Sequence, residues 1–192
     1  MNIANKFTVS RVIMIPIFLV FYLVPMEMGE LTIGQSVIPV SRFIAAIVFI
    51  VASMTDFIDG RLARKYHLVT NFGKFFDPLA DKLLVMSALV AFVGVELIPA
   101  WMVIIILARE FAVTGLRTIA ADEGVVLAAS TMAKWKTTSQ MVATSLFLFD
   151  NIPFGRDGFP LAMIFMWVAV VMTIVSGWEY FYKNRAIILK SK

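Results

Sequence analysis

Apolar runs centred near Phe18, Ile47, Val90, Ile105, Leu146 and Val168 divide the chain, with short polar connections between them. A helix of about 20 mostly apolar residues spans a bilayer. The pattern therefore predicts an all-α polytopic membrane protein of six transmembrane helices. No length remains for a second folded unit, so residues 1–192 are expected to form one membrane domain. No small-residue cleavage pattern follows the first apolar run. That run is expected to be retained, preceded by a short N-terminal juxtamembrane amphipathic segment.

Only the last uncharged stretch, Gly158 to Trp178, reaches full spanning length by itself. The other five must complete their crossing with residues that include Arg11, Asp56, Asp59, Asp81, Arg109, Lys134 or Lys136. All of these lie toward the same predicted side. Basic residues near helix ends reach the head groups on their long stems, but short aspartates cannot, and Arg109 falls about halfway along its helix. A polar cavity inside the bundle, open to one face, accommodates them.

Composition strengthens the membrane reading: 60% of the 192 residues are hydrophobic and the mean hydropathy is +0.88. Lysine and arginine mark the cytoplasmic ends of membrane spans. They gather at Lys6 and Arg11, around the second connection from Arg61 to Lys82, at Lys134 and Lys136, and at the C-terminus. Both termini and the polar cavity are thus expected to face the cytoplasm, in the cell membrane. The net charge of +4 reads as a topology signal with some attraction to anionic lipid, not as a nucleic-acid surface. With no cysteine and His67 the lone histidine, thiolate and multi-histidine metal sites are excluded.

The densest chemistry is Asp56-x-x-Asp59-Gly60-x-x-Ala63-Arg64, followed by Gly73-x-x-x-Asp77-x-x-x-Asp81. Residues three or four apart share a helix face, so Asp56 pairs with Asp59 and Asp77 with Asp81. Gly60 and Ala63 leave that face nearly bare, which lets a ligand approach the backbone. Two carboxylate pairs can hold two divalent ions, and oxygen-only donors favour Mg²⁺, Mn²⁺ or Ca²⁺. Paired ions about 4 Å apart suit phosphoryl chemistry. Against this stands a bland alternative: Asp77-Pro78 fits a helix start, and Arg61, Arg64 and Lys82 can pair with aspartates.

This spacing resembles the complete signature of the CDP-alcohol phosphatidyltransferases, with no substitution at its defining positions. The resemblance implies six membrane helices and two metal ions, Mg²⁺ or Mn²⁺, held by Asp56, Asp59, Asp77 and Asp81 against the pyrophosphate of CDP-diacylglycerol. It implies Asp81 as general base, with Gly60, Ala63, Arg64 and Gly73 lining the nucleotide site. Asn5-Lys6-Phe7-Thr8-x-x-Arg11 is similar to a further family element, with Ala4 and Phe7 in place of its proline and leucine. Through it Asn5 and Thr8 are implied to contact the cytidine. A homodimer is implied in the same way.

The acceptor is read from a second cluster. Arg109 and Arg117 are eight apart, slightly over two turns, and so line one stripe; Lys134 and Lys136 add two more cations. Together they form an anion site, with arginine suited to bidentate phosphate binding. Arg109-Glu110-x-x-Val113-x-x-Leu116-Arg117 and Lys134-x-Lys136-Thr137-x-x-Gln140 resemble the family branch whose acceptor is glycerol 3-phosphate, the bacterial phosphatidylglycerophosphate synthases. Ala133 stands where that branch usually has glycine. The expected reaction transfers a phosphatidyl group from CDP-diacylglycerol to glycerol 3-phosphate, releasing CMP. Inositol phosphate is the alternative acceptor. A divalent-cation transporter would need its polar route to continue to the other side, and a lipid-binding scaffold would need neither both carboxylate pairs nor a base.

Overall fold

The computed structural model describes residues 3–33, 36–66, 71–122, 124–125, 127, 131–152, 154–155 and 158–185, of which 3–8, 56–66, 71–79, 81 and 122 are described by backbone alone. The chain is mostly helical. Its helices are α1 (Ile3–Leu23), α2 (Val40–Tyr66), α3 (Asn71–Gly94), α4 (Ala100–Asp122), α5 (Thr131–Leu148) and α6 (Leu161–Lys183). Each carries one of the apolar centres read from the sequence. By length and composition α6 is apolar enough to cross a membrane; α1, α2 and α3 contain shorter apolar segments at Val9–Leu23, Val40–Thr55 and Lys82–Gly94.

Three local features depart from expectation. The N-terminal stretch is not set apart from the first span, since α1 runs unbroken from Ile3. The connection after α1 holds an antiparallel hairpin, β1 (Glu30–Ile33) and β2 (Ser36–Pro39), paired Glu30 to Pro39 through Ile33 to Ser36. Leu31 faces Ile38 and Thr32 faces Val37 across it, and the β-branched Thr32, Ile33, Val37 and Ile38 suit a pleated ribbon. Asp77-Pro78 is not a helix start, because α3 begins at Asn71.

The chain divides into two compact units. The first comprises Met1–Leu97 and Thr144–Pro160. In it α1 packs along both α2 and α3. An aromatic chain forms its core: Phe18 lies 5.6 Å from Tyr22 and 5.7 Å from Phe49, while Tyr22 and Phe147 lie 5.6 and 5.4 Å from Phe92. Such ring pairs add about 1 kcal/mol each beyond their buried area. Phe18 meeting Phe49, with Arg42 over Tyr22, makes α1 and α2 antiparallel. Alanines 45, 46, 52, 88 and 91 are buried and let the helices approach closely. The Ser36 hydroxyl donates to the Asp150 carbonyl at 3.4 Å, tying the hairpin to the turn after α5. Asn151 holds that turn with φ of 60°, its amide donating to Gly155 O at 3.0 Å and Phe159 O at 2.7 Å. Asparagine tolerates this left-handed conformation better than most residues.

The second unit comprises Ile98–Ala143 and Leu161–Lys192. Its centre is the packing of α4 on α6. Contacts pair Trp101 with Trp167, Arg109 with Ser176 and Arg117 with Tyr180. Both members of each pair advance together, so the two helices run parallel. α6 buries a stripe that includes Ala162, Met166, Ala169, Thr173, Ser176, Gly177 and Tyr180. Its opposite face exposes Ile164, Trp167, Val171, Ile174, Val175 and Trp178. Small and hydroxylated residues inward with large apolar ones outward is how membrane helices associate.

Candidate functional site

In the first unit the backbone places Asp56 and Asp59 three positions apart on α2, followed on the same helix by Gly60, Ala63 and Arg64. α3 carries Gly73, Asp77 and Asp81, and α1 carries Asn5 and Thr8. The side chains of all these residues lie outside the described residues. What the backbone does establish is that both halves of the signature are helical, so each aspartate pair shares a helix face. Since Asp77 lies inside α3, capping no longer accounts for it. The donor set of four carboxylates, with no softer ligand among them, fits Mg²⁺ or Mn²⁺. Three positions beyond Thr8, the described Arg11 is only 2% exposed, and a guanidinium so buried requires polar company.

The second unit shows its side chains. Arg109, on the α6-facing side of α4, donates from Nη1 to Glu110 Oε1 at 2.9 Å and from Nη2 to Ser176 Oγ at 3.2 Å. Lys136, 5% exposed on α5, donates from Nζ to the same Glu110 Oε1 at 2.7 Å. One carboxylate oxygen thus serves two cations. Arg109 Nε is buried and has no hydrogen-bond partner among the described residues. A donor left so is worth about 1–3 kcal/mol in lost solvation, which an acceptor oxygen would recover.

Two turns farther along α4, Arg117 extends the stripe. Its Nε donates to the Tyr180 hydroxyl at 3.1 Å and its guanidinium lies 5.6 Å from that ring's centre. Val113, Leu116 and Tyr180 form an apolar floor beneath it, with Leu127 and Phe181 packed against them. Lys134, by contrast, is exposed. Of the four basic residues read as a phosphate site, the structure joins Arg109 to Lys136 through Glu110 and aligns Arg117 on the same helix pair; it does not bring Lys134 into that network.

Four participants were not legible as such. Glu110 stands in the sequence only as one position of a motif, and its bridge to Lys136 spans two helices. Ser176 and Tyr180 sit on α6 among residues that the sequence presents as a plain apolar span. Gly177 is the fourth: a Cβ built there would lie 3.2 Å from Arg109 Cγ. The bare backbone at 177 therefore makes room for the arginine's stem. A hydroxyl and a glycine adjacent within an apolar run is the signal that was available.

Comparison with known proteins agrees with these motifs. A model of the CDP-alcohol phosphatidyltransferase family matches residues 1–175. The chain is 54% identical over 95% of both sequences to a Bacillus subtilis protein named CDP-diacylglycerol--glycerol-3-phosphate 3-phosphatidyltransferase. It is 39% identical to a Rickettsia typhi protein of the same name, over 94% of this chain and 95% of the other. A Mycobacterium tuberculosis protein named probable phosphatidylglycerophosphate synthase is 36% identical over 93% of this chain and 79% of its own length.

Proposed function

The chain belongs to the CDP-alcohol phosphatidyltransferase family, and on that premise we propose that it transfers a phosphatidyl group from CDP-diacylglycerol to glycerol 3-phosphate, giving phosphatidylglycerol phosphate and CMP. The observation that carries the acceptor is the Arg109–Glu110–Lys136 cluster. Two cations share one carboxylate, leaving net positive charge, and Arg109 retains a buried donor with no partner among the described residues. A phosphomonoester supplies the missing anion; a neutral acceptor such as serine does not.

Asp56, Asp59, Asp77 and Asp81 would hold two divalent ions. When bound, such ions supply charge neutralisation around the reacting phosphorus and the departing CMP. Asp81 accepts the proton of the acceptor's primary hydroxyl, whose oxygen bonds to the phosphatidyl phosphorus as the bond to the CMP phosphate breaks. Gly60, Ala63, Arg64 and Gly73 line the donor's nucleotide, with Asn5 and Thr8 at the cytidine. Arg109, Arg117 and Lys136 orient the acceptor phosphate, and Lys134 adds long-range attraction from its exposed position. Holding the hydroxyl near attack geometry removes much of the entropic barrier.

The setting we propose is a single domain of six membrane-crossing helices, both termini and the active site on the cytoplasmic side, acting as a homodimer. Exposed apolar residues on every helix support the crossing: Ile13 and Ile17, Ile47 and Val51, Leu83 and Val90, Ile104 and Phe111, Met132 and Trp135, Ile174 and Trp178. The antiparallel α1 and α2 and the parallel α4 and α6 agree with strict alternation.

The deciding experiment is CMP release by purified protein given CDP-diacylglycerol with glycerol 3-phosphate, inositol phosphate or serine in turn, in Mg²⁺, Mn²⁺ or chelator. Release with glycerol 3-phosphate and a divalent ion is expected. Release only with another alcohol removes the acceptor assignment, and release undiminished by chelator removes the metals.

A further inference from the structure

Where α1 ends and α2 begins, the first unit holds a cleft of about 670 Å³ lined by Tyr22, Glu27, Glu30, Ser41 and Arg42 among others. Ser41 and Asp56 are fifteen residues apart on α2, about 22 Å at 1.5 Å per residue. The cleft is therefore separate from the aspartates.

Its chemistry is two-signed. On one wall stands the start of α2, the positive end of a 27-residue helix, where Val40 N–H is taken by Gly29 O at 3.0 Å. Ser41 beside it is only 5% exposed, lines the cleft, and makes no hydrogen bond among the described residues. Arg42 lies over the Tyr22 ring at 5.7 Å and forms no ion pair among the described residues, although Glu27 and Glu30 line the same space. Helix amides, a buried hydroxyl and a guanidinium make a phosphate site. Two carboxylates repel a bare phosphate but attract an ammonium. Leu23 and Val24 line the cleft and, with Met28 and Leu31 next to its two glutamates in the chain, are exposed, an apolar rim that suits acyl chains.

We propose that this cleft binds the head group of an aminophospholipid, a membrane lipid carrying both a phosphate and a primary ammonium. The phosphate sits at Ser41 and Arg42, the ammonium at Glu27 and Glu30, and the acyl chains lie along the apolar rim.

The test is native mass spectrometry of the full-length protein in detergent, titrated with phosphatidylethanolamine, with phosphatidylglycerol of the same acyl chains, and with free phosphoethanolamine. Wild-type protein retains phosphatidylethanolamine roughly fivefold better than phosphatidylglycerol, and Arg42→Gln and Ser41→Ala each lower that retention roughly three- to tenfold. The double variant Glu27→Gln with Glu30→Gln loses the preference between the two lipids. CMP release by Arg42→Gln stays at the wild-type rate, which reports an intact fold and separates this site from the catalytic one. Equal retention of both lipids by wild-type protein, or wild-type retention by Arg42→Gln, overturns the site. Free phosphoethanolamine held as well as the lipid overturns the lipid as occupant. Should Arg42→Gln misfold, the glutamate pair decides: a preference that survives there overturns the proposal.

Discussion

Lys136 donates to Glu110 at 2.7 Å from a neighbouring helix, on the carboxylate oxygen that also receives Arg109 at 2.9 Å. Glu110 therefore occupies the place of an anion between two cations. On the proposed function an incoming phosphate would compete with it for the same donors, and acceptor binding would exchange one anion for another.

Glu110→Gln tests this exchange. The variant leaves Lys136 buried with a weaker partner, and breaking such a pair costs about 3 kcal/mol or more. A lower melting midpoint is expected without ligand. Glycerol 3-phosphate should then raise that midpoint more in the variant than in wild type, because the freed cations prefer a dianion. An equal rise in both, measured by thermal unfolding in detergent, would remove the competition.

Lys136→Ala and Lys134→Ala should part company. Lys136 is buried in the cluster and Lys134 is exposed. A charge-assisted hydrogen bond is worth about 1.5–3 kcal/mol, so Lys136→Ala should raise the glycerol 3-phosphate KM by roughly ten- to a hundredfold with a smaller effect on the CDP-diacylglycerol KM. Lys134→Ala should change the acceptor KM by less than about threefold, as screened surface charges do. Steady-state kinetics in each substrate separate the two.

Gly177→Ala pits two effects of known sign against each other. Alanine favours a helix interior by about 1 kcal/mol over glycine, while its Cβ would meet Arg109 Cγ at 3.2 Å. That atom belongs to a flexible stem, so the arginine yields rather than the backbone. The melting midpoint should change little, and kcat/KM for glycerol 3-phosphate should fall several-fold as Arg109 leaves Ser176. Unchanged kinetics would show that Arg109 does not need its present position.

Asp81→Asn addresses the proposed base. Turnover should drop by about two orders of magnitude or more, while CDP-diacylglycerol binding remains measurable. Normal CMP release by the variant would exclude Asp81 from proton transfer.

What was legible in the sequence follows from the range of the interactions concerned. Apolar runs report helices because the burial of each apolar side chain is decided locally, and all six centres fall inside α1 to α6. The aspartate spacing is likewise local, since each pair lies within one helix. Boundaries set by short-range competition were harder. Asp77-Pro78 looks like a helix start, yet α3 has already begun at Asn71, so the proline lies within the helix even though it forgoes a backbone hydrogen bond there. The hairpin at Glu30–Pro39 was read as a plain connection, although Leu31-Thr32-Ile33 and Val37-Ile38 flanking Gly34-Gln35-Ser36 carry its signal. Glu110 to Lys136, Arg109 to Ser176 and Gly177 beneath Arg109 are tertiary relationships, and no periodicity in one helix encodes its register against another.

Arg109 finds Ser176 67 positions along the chain, and Arg117 finds Tyr180 63 positions along. A ribosome that has delivered α1 to α5 has delivered all four signature aspartates, yet α6, which seats both arginines, is still to come. The α4–α6 contact that seats Arg109 and Arg117 is thus completed after the aspartate-bearing helices α2 and α3 have been made. A chain that stalls before α6 would carry all four signature aspartates while Arg109 and Arg117 lack Ser176 and Tyr180.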